Sequence, residues 1–161
     1  EIYEPTYLER FGRCDRIDVL DLDLANPRAT IHGDFDALPP AAFDCFVCTQ
    51  TLSAVGDPLR RLREAHAALK PGGVLLATVP NITPDVPGEA FPDHLRYTAH
   101  GLRSLAAQVF PEPEVRAHGN VRTAAAFLYG MAEHELDPAD FARDDPAFEL
   151  VVTLRAVRPE R

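Results

Sequence analysis

The stretch "AFDCFVCTQTLSAVGDPLRRLREAHAALKPGGVLLATVP", residues 42–80, sets two apolar runs on either side of a segment with helical period. Residues 42–49 and 73–79 are short, almost unbroken in apolar character and bounded by turn-forming residues, which reads as strands buried on both faces. Between them Asp57 supplies an N-cap and Pro58 a first-turn proline. Leu59, Leu62, His66 and Leu69 then fall on one stripe, and Lys70-Pro71-Gly72-Gly73 ends the helix. A strand, a crossover helix and a second strand make the unit of a parallel sheet. The two strands are therefore expected side by side at the centre of that sheet.

Working outward, the same alternation continues in both directions, which places the chain in the α/β class. "RIDVLDLD", residues 16–23, reads as a strand ending in carboxylates, and "ATIHGD", residues 29–34, as a second short one. The gap between them is too short for a crossover helix, and Asn26 and Pro27 favour a loop there, so the second strand is expected to be a stub. After residue 80 a helix is expected from Thr98, with Leu102, Leu105, Ala106 and Val109 inward and Pro111 and Pro113 closing it. "EVRAHG" reads as a strand, residues 121–136 as a further helix, and "FELVVTLRAV", residues 148–157, as a long final strand.

The 161 residues fit one domain able to bury a core without disulfides or metals. A balance of 16 basic against 25 acidic residues, net −9, repels phosphate backbones and anionic headgroups and argues against nucleic-acid and membrane-surface partners. No apolar run reaches membrane-spanning length and no basic-then-apolar leader opens the chain, so the cytoplasm is the expected location. Lys70 is the sole lysine, and alanine and proline are abundant, a bias that points to a bacterial source. Cys45 and Cys48 make a CxxC only on paper, because an odd spacing along a strand turns the two side chains to opposite faces. No metal site is expected.

"GD" at 33–34, "LP" at 38–39, "FD" at 43–44, "DP" at 57–58 and "LKPGG" at 69–73, in that order and before a strand ending in Pro80, resemble the class I S-adenosylmethionine-dependent methyltransferases. The resemblance runs from about residue 17 to the C-terminus. It implies a Rossmann-like, mostly parallel sheet with flanking helices and an antiparallel last strand, with the first strand largely missing from a single domain, 1–161, that is incomplete at its N-terminus. "GNVRTAAAFLYGMAEHEL" looks like a subset of the family found near glycosyltransferase and polysaccharide genes.

A dinucleotide-like cofactor lies across the carboxyl ends of parallel strands, where an acidic residue can accept both ribose hydroxyls. Asp21 and Asp23 both qualify by period, and alignment to the family prefers Asp21. Asp34 matches the family's acid for the adenine amino group, and Phe35 stands beside it to stack on the ring. Thr49, Gln50 and Leu52 follow the fourth strand, where the family lines its methyl-transfer channel, so the resemblance makes Thr49 and Gln50 candidate cofactor-binding residues. The family's frequent "ExLEH" is "QTLSAV" here, however, with no acid or histidine for proton chemistry. His66 lies on the apolar stripe and is expected to be a packed, buried core residue. His94 lies in the proline-rich loop 81–97, where, with Asp93, Arg96 and Tyr97, it is the candidate general base toward an acceptor hydroxyl.

The chain begins "EIYEPTYLERFG". In the family the first strand ends in an acid, here Glu1, followed by a glycine-rich turn whose N–H groups approach the methionyl carboxylate. Tyr3 replaces the first glycine, Pro5 has no N–H to give, and Glu4 brings a like charge. The expectation is weak binding of S-adenosylmethionine, with upstream residues, a partner chain or a second copy completing the sheet. The expected activity is methyl transfer to a small hydroxyl-bearing acceptor such as a sugar or sugar-containing metabolite. The competing expectation is a catalytically inactive methyltransferase-fold domain that serves as a binding or interaction module.

Overall fold

The computed structural model describes residues 11–12, 14–83 and 93–160. The chain divides into two compact units, Glu1–Leu38 and Pro39–Arg161.

In the first unit β1 (Leu20–Asp21) pairs in parallel with β2 (Ile31–His32), Leu20 opposite Ile31 and Asp21 opposite His32. Both strands are shorter than the apolar runs that announce them, and the connection between them holds no helix. Short side chains organise that connection instead. The carboxylates of Asp21 and Asp23 and the amide oxygen of Asn26 accept from the N–H groups of Asp23, Ala25 and Arg28 at 2.8–2.9 Å. These Asx turns satisfy the loop's donors locally, which lets two strands only two residues long pair without the usual crossover. Beyond β2, Gly33 has φ +135, and an added Cβ would stand 2.8 Å from the Ala37 Cβ, so the turn requires glycine. Asp34 then caps the 3-10 turn Phe35–Ala37, accepting from the Phe35 N–H at 2.7 Å.

The second unit is built on β3 (Phe43–Thr49), β4 (Leu69–Pro80), β5 (Glu114–His118) and β6 (Val151–Val157), in the order β3-β4-β6-β5. β3 and β4 are parallel, and β6 is antiparallel to both β4 and β5, so all but the last strand share one direction. That is the mixed α/β, mostly parallel arrangement with an antiparallel last strand expected from the sequence.

Two expectations for β3 need correction. It ends the order of this four-stranded sheet among the described residues, while β4 and β6 hold the centre. Nor are both faces of the sheet fully buried. Leu75, Ala77 and Val79 of β4 and Val152, Leu154 and Ala156 of β6 are buried, but the alternate Val74, Leu76, Thr78, Val151 and Thr153 are half-buried. An apolar run cannot reveal this asymmetry, because valine and leucine serve a half-covered face as well as a covered one. Cys45 is exposed and Cys48 buried, on opposite faces as their spacing requires.

The buried face is covered by α1 (Pro58–Ala68), which packs on β4, and α2 (Ala99–Ala106), which packs on β5, β6 and α1. Asp57 and Thr98 cap these helices, each accepting at 3.0 Å from a first-turn N–H. Leu62, Ala65 and Ala68 of α1 and Leu102 and Ala106 of α2 are buried. Each fully buried leucine contributes about 2 kcal/mol. The Arg158 guanidinium donates to the carbonyls of His66, Ala67 and Leu69 at 3.1, 3.0 and 2.6 Å, placing a cation on the carbonyl end of α1. His66 is half-buried rather than buried, its ring edge-on to Phe110 at 5.1 Å between centroids. Burial, then the Arg158 charge, push its pKa below the usual histidine value.

The expected helix 121–136 stops early. α3 spans Val121–Leu128 with a capping box between Asn120 and Thr123, and the chain turns at Gly130, φ +74, before a 3-10 turn at Glu133–Glu135. Glycine takes that left-handed conformation without the cost a side chain incurs, so it ends a helix that periodicity alone would extend. The final strand is likewise shorter than its run, and Phe148 lies outside it, exposed.

Candidate functional site

In the first unit one candidate cofactor acid stands at the carboxyl end of β1 and the other stands two residues past the end of β2. Asp21 closes β1. Its Oδ1 accepts from the Asp23 N–H at 2.9 Å and its Oδ2 from the Asn26 amide at 2.6 Å, while its backbone carbonyl accepts from the Gly33 N–H at 2.9 Å. The N–H of Asp23 first, then the Asn26 amide, hold the Asp21 carboxyl below its ordinary pKa. An ionised carboxylate has about four acceptor directions, and the Asp23 N–H, the Asn26 amide and the Leu22 N–H occupy no more than three of them. Asp23, the alternative by period, lies beyond the strand and caps its own turn. Asp34 is half-buried at the head of the next turn. Phe35, the candidate stacking ring, is only 6% exposed, so most of its surface is already covered within the protein.

In the second unit the chain leaving β3 is tightly organised. Thr49 pairs with Thr78 of β4, and Gln50 follows at φ +54, a left-handed conformation that costs a non-glycine residue energy unless its surroundings hold it. What holds it is Thr78. The Gln50 backbone N–H donates to the Thr78 carbonyl at 2.8 Å, and its side-chain amide to the Thr78 hydroxyl at 3.0 Å. Thr51 returns a hydroxyl bond to the Thr49 carbonyl at 3.0 Å. Leu52 is buried, 1% exposed, and therefore belongs to the core rather than to an open channel wall.

Residues 93–97 are bonded to this loop. The N–H groups of His94 and Leu95 donate to the Ser53 carbonyl at 2.8 and 3.1 Å, and the Tyr97 hydroxyl donates to the Leu52 carbonyl at 2.9 Å. His94, the candidate base, is exposed, and no side-chain hydrogen bond engages its ring among the described residues. Asp93 and Arg96 form an ion pair at 2.7 Å. Burial pushes the Tyr97 hydroxyl up to about 12, so this side chain is a strut and not an acid or base at neutral pH. Among the described residues no group of three histidine, cysteine or carboxylate side chains is placed to hold a metal ion, and no helix is long and apolar enough to cross a membrane. Glu1 and the degenerate cradle Tyr3, Glu4 and Pro5 lie outside the described residues.

Sequence reasoning passed over Thr78, Asn81 and Glu149. Thr78 and Asn81 flank the end of β4, which is where the strands of open α/β sheets carry functional residues, and that position is the one signal available for them. Glu149 has no signal in sequence, since its partners are 68 and 50 residues away.

Comparison with known proteins fits this geometry. A family model described as "Methyltransferase domain" matches residues 5–138. The chain belongs to the methyltransferase-domain family. A ubiquinone biosynthesis O-methyltransferase of Xanthomonas campestris pv. campestris (strain B100) is 41% identical over 51 residues, 32% of this chain and 21% of that protein. The chain thus matches about a fifth of the length of that relative. Among solved structures, an S-adenosylmethionine-dependent methyltransferase of Thermotoga maritima, described as a possible histamine N-methyltransferase, superposes with a TM-score of 0.56 at 18% identity, covering 85% of this chain and 68% of that one. A second, from Mesorhizobium loti, gives 0.53 at 19%, covering 86% and 78%. At these identities the structural likeness establishes the fold.

Proposed function

We propose that this methyltransferase-family chain, as one domain over residues 1–161, carries out S-adenosylmethionine-dependent methyl transfer to the hydroxyl of a small molecule. The observation that carries the reading is Asp21, a carboxylate kept ionised at the tip of a parallel strand pair with more acceptor capacity than its own turn uses. Within the first unit Asp21 receives the ribose hydroxyls and Asp34 the adenine amino group, with Phe35 the next residue along the chain. Within the second unit Thr49 and Gln50 line the side toward the acceptor, and the exposed His94 imidazole accepts the acceptor's proton. When bound, the cofactor supplies an electrophilic methyl group on sulfur, so alignment provides most of the rate and little acid–base chemistry is demanded of the protein. That fits a β3 exit loop with no titratable group in "QTLSAV".

We assign the acceptor to the sugars or sugar-containing metabolites, on the likeness of residues 119–136 to the polysaccharide-associated subset. The relative named for ubiquinone biosynthesis is an O-methyltransferase, which supports oxygen as the methylated atom. Cofactor affinity is low on this reading, because Glu4 and Pro5 occupy, in sequence, positions at which the family's motif has its glycine-rich turn. The protein works in the cytoplasm on a small molecule, as a single chain or with a second copy or partner chain. The alternative, an inactive binding module, is favoured by that same cradle and opposed by Asp21.

Calorimetry with S-adenosylhomocysteine tests the reading. Saturable binding weakened several-fold by Asp34→Ala is expected. Equal heats for the two proteins would remove Asp34 from the site, and no heat at millimolar ligand with either would end the methyl-transfer reading.

A further inference from the structure

Glu149 lies outside every motif of the sequence, yet it ties three parts of the second unit together. Its Oε2 accepts from the Asn81 side-chain amide at 3.1 Å and from the Ala99 backbone N–H at 2.9 Å. Asn81 also donates from Nδ2 to the Tyr97 carbonyl at 2.9 Å and from its backbone N–H to the Leu150 carbonyl at 3.0 Å. Ala99 opens α2, so its N–H has no partner inside the helix, and a carboxylate is the acceptor best suited to that end. The two ends of the segment that joins β4 to α2 therefore converge on one carboxylate. From that point Tyr97 reaches the Leu52 carbonyl, and His94 and Leu95 reach Ser53, in the loop that begins with Gln50.

We propose that Glu149 is a positioning residue for methyl transfer. It fixes Asn81 and Tyr97, and through them holds His94 beside the end of β3, where the acceptor hydroxyl must be presented. The inference rests on the methyl-transfer reading for its purpose, but its geometry is separately testable. Alanine at 149 leaves the Asn81 amide and the Ala99 N–H without their acceptor, whereas glutamine keeps an oxygen able to accept from both.

The test is amide hydrogen exchange by NMR on the whole chain, comparing wild type with Glu149→Ala, Glu149→Gln and, as a distant control, Glu114→Ala. Glu149→Ala should lower protection of the His94 and Leu95 amides by about tenfold or more and shift the His94 ring resonances. The β4–β6 amides should keep their protection, Glu149→Gln should restore most of the loss, and Glu114→Ala should leave both amides unchanged. Unchanged protection in Glu149→Ala would overturn the proposal. So would loss spread evenly over β4 and β6, which marks a general loss of stability. If Glu149→Ala does not fold, Asn81→Ala removes the same link from its other side; local loss at His94 and Leu95 supports the proposal, and no loss overturns it. S-adenosylhomocysteine calorimetry on the same samples separates the two ideas, since absent binding with intact local exchange effects refutes the methyl-transfer reading and leaves the geometric link standing.

Discussion

Replacing Gly73 by alanine should destabilise the protein by an amount that its neighbour Gly72 cannot match. Gly73 is buried where β4 passes the start of β3, and an added Cβ would lie 2.8 Å from the Lys70 carbonyl oxygen, 3.0 Å from that of Phe43 and 3.2 Å from the Leu69 Cβ. The two nearest atoms are backbone, so no rotamer change relieves the clash and the strands themselves must shift. The Gly73 carbonyl also accepts from the Arg158 N–H at 2.9 Å, which resists that shift. Overpacking of this kind costs about 1–3 kcal/mol, and contacts with backbone belong at the upper end. Alanine recovers about 0.4–1 kcal/mol by restricting the unfolded chain. The net expectation is a loss of about 2 kcal/mol, or about 4–8 °C in Tm for a chain of this size.

Gly72 is the control. Its φ of +78 is left-handed, but a Cβ there would meet nothing nearer than Glu160 Cγ at 3.9 Å. A side chain in that conformation costs about 1–2 kcal/mol, less the same unfolded-state gain, leaving about 1 kcal/mol or less. Urea unfolding followed by circular dichroism gives both values. If Gly73→Ala costs no more than Gly72→Ala, the close approach of β3 and β4 does not explain the second glycine of "LKPGG".

Tyr97→Phe should cost about 1–2 kcal/mol in the same assay by leaving the Leu52 carbonyl without its buried donor, and a neutral result would show that water replaces the hydroxyl. His66 has a pKa below its unfolded value, so the unfolded chain takes up its proton first; stability should be full above about pH 6.5 and decline as pH falls through that value toward the folded one, and His66→Gln should flatten that part of the profile. An equally steep decline in His66→Gln would place the effect elsewhere. Burial pushes the Cys48 thiol up to about 11, so iodoacetamide at pH 8 should alkylate Cys14 and Cys45 well before Cys48, with the difference lost in urea. Equal rates in the native protein would contradict the burial of Cys48.

The elements read correctly from sequence are those in which local signals agree. Asp57, Pro58 and the Leu59–Leu62 stripe fix α1, because cap and period act within a few residues of one another, although the helix stops at Ala68 and Leu69, Gly72 and Gly73 already belong to β4. The strands flanking it follow from their apolar runs. Which strand stands at the edge does not follow, because β3 and β4 read alike while their neighbours are set by distant pairing with β6. The early end of α3 was hidden because the apolar Met131 and Leu136 continue beyond Gly130, where the chain turns, the pattern that Phe127 and Leu128 close inside the helix. The candidate site divides in the same way. Asp21 and Asp34 could be named as candidates because the family resemblance points to acids at the ends of these strands, and the structure puts them at or just past those ends. The roles of Thr78, Asn81, Tyr97 and Glu149 exist only through hydrogen bonds between segments far apart in the chain, and no local pattern announces them.

The central claim is that Asp21 holds the cofactor. Calorimetric titration of S-adenosylmethionine into the 161-residue chain and into its Asp21→Asn variant tests it most directly. Loss of hydrogen bonds to a charged acceptor should weaken binding about tenfold or more, on a starting affinity already weaker than micromolar because a carboxylate at Glu4 costs about 1 kcal/mol or more against the ligand's own. The account predicts weak, saturable binding in the wild type that is about tenfold weaker still in the variant. Equal affinities in the two proteins would contradict it. Micromolar binding by the wild type would contradict the weakening expected from Glu4 and Pro5.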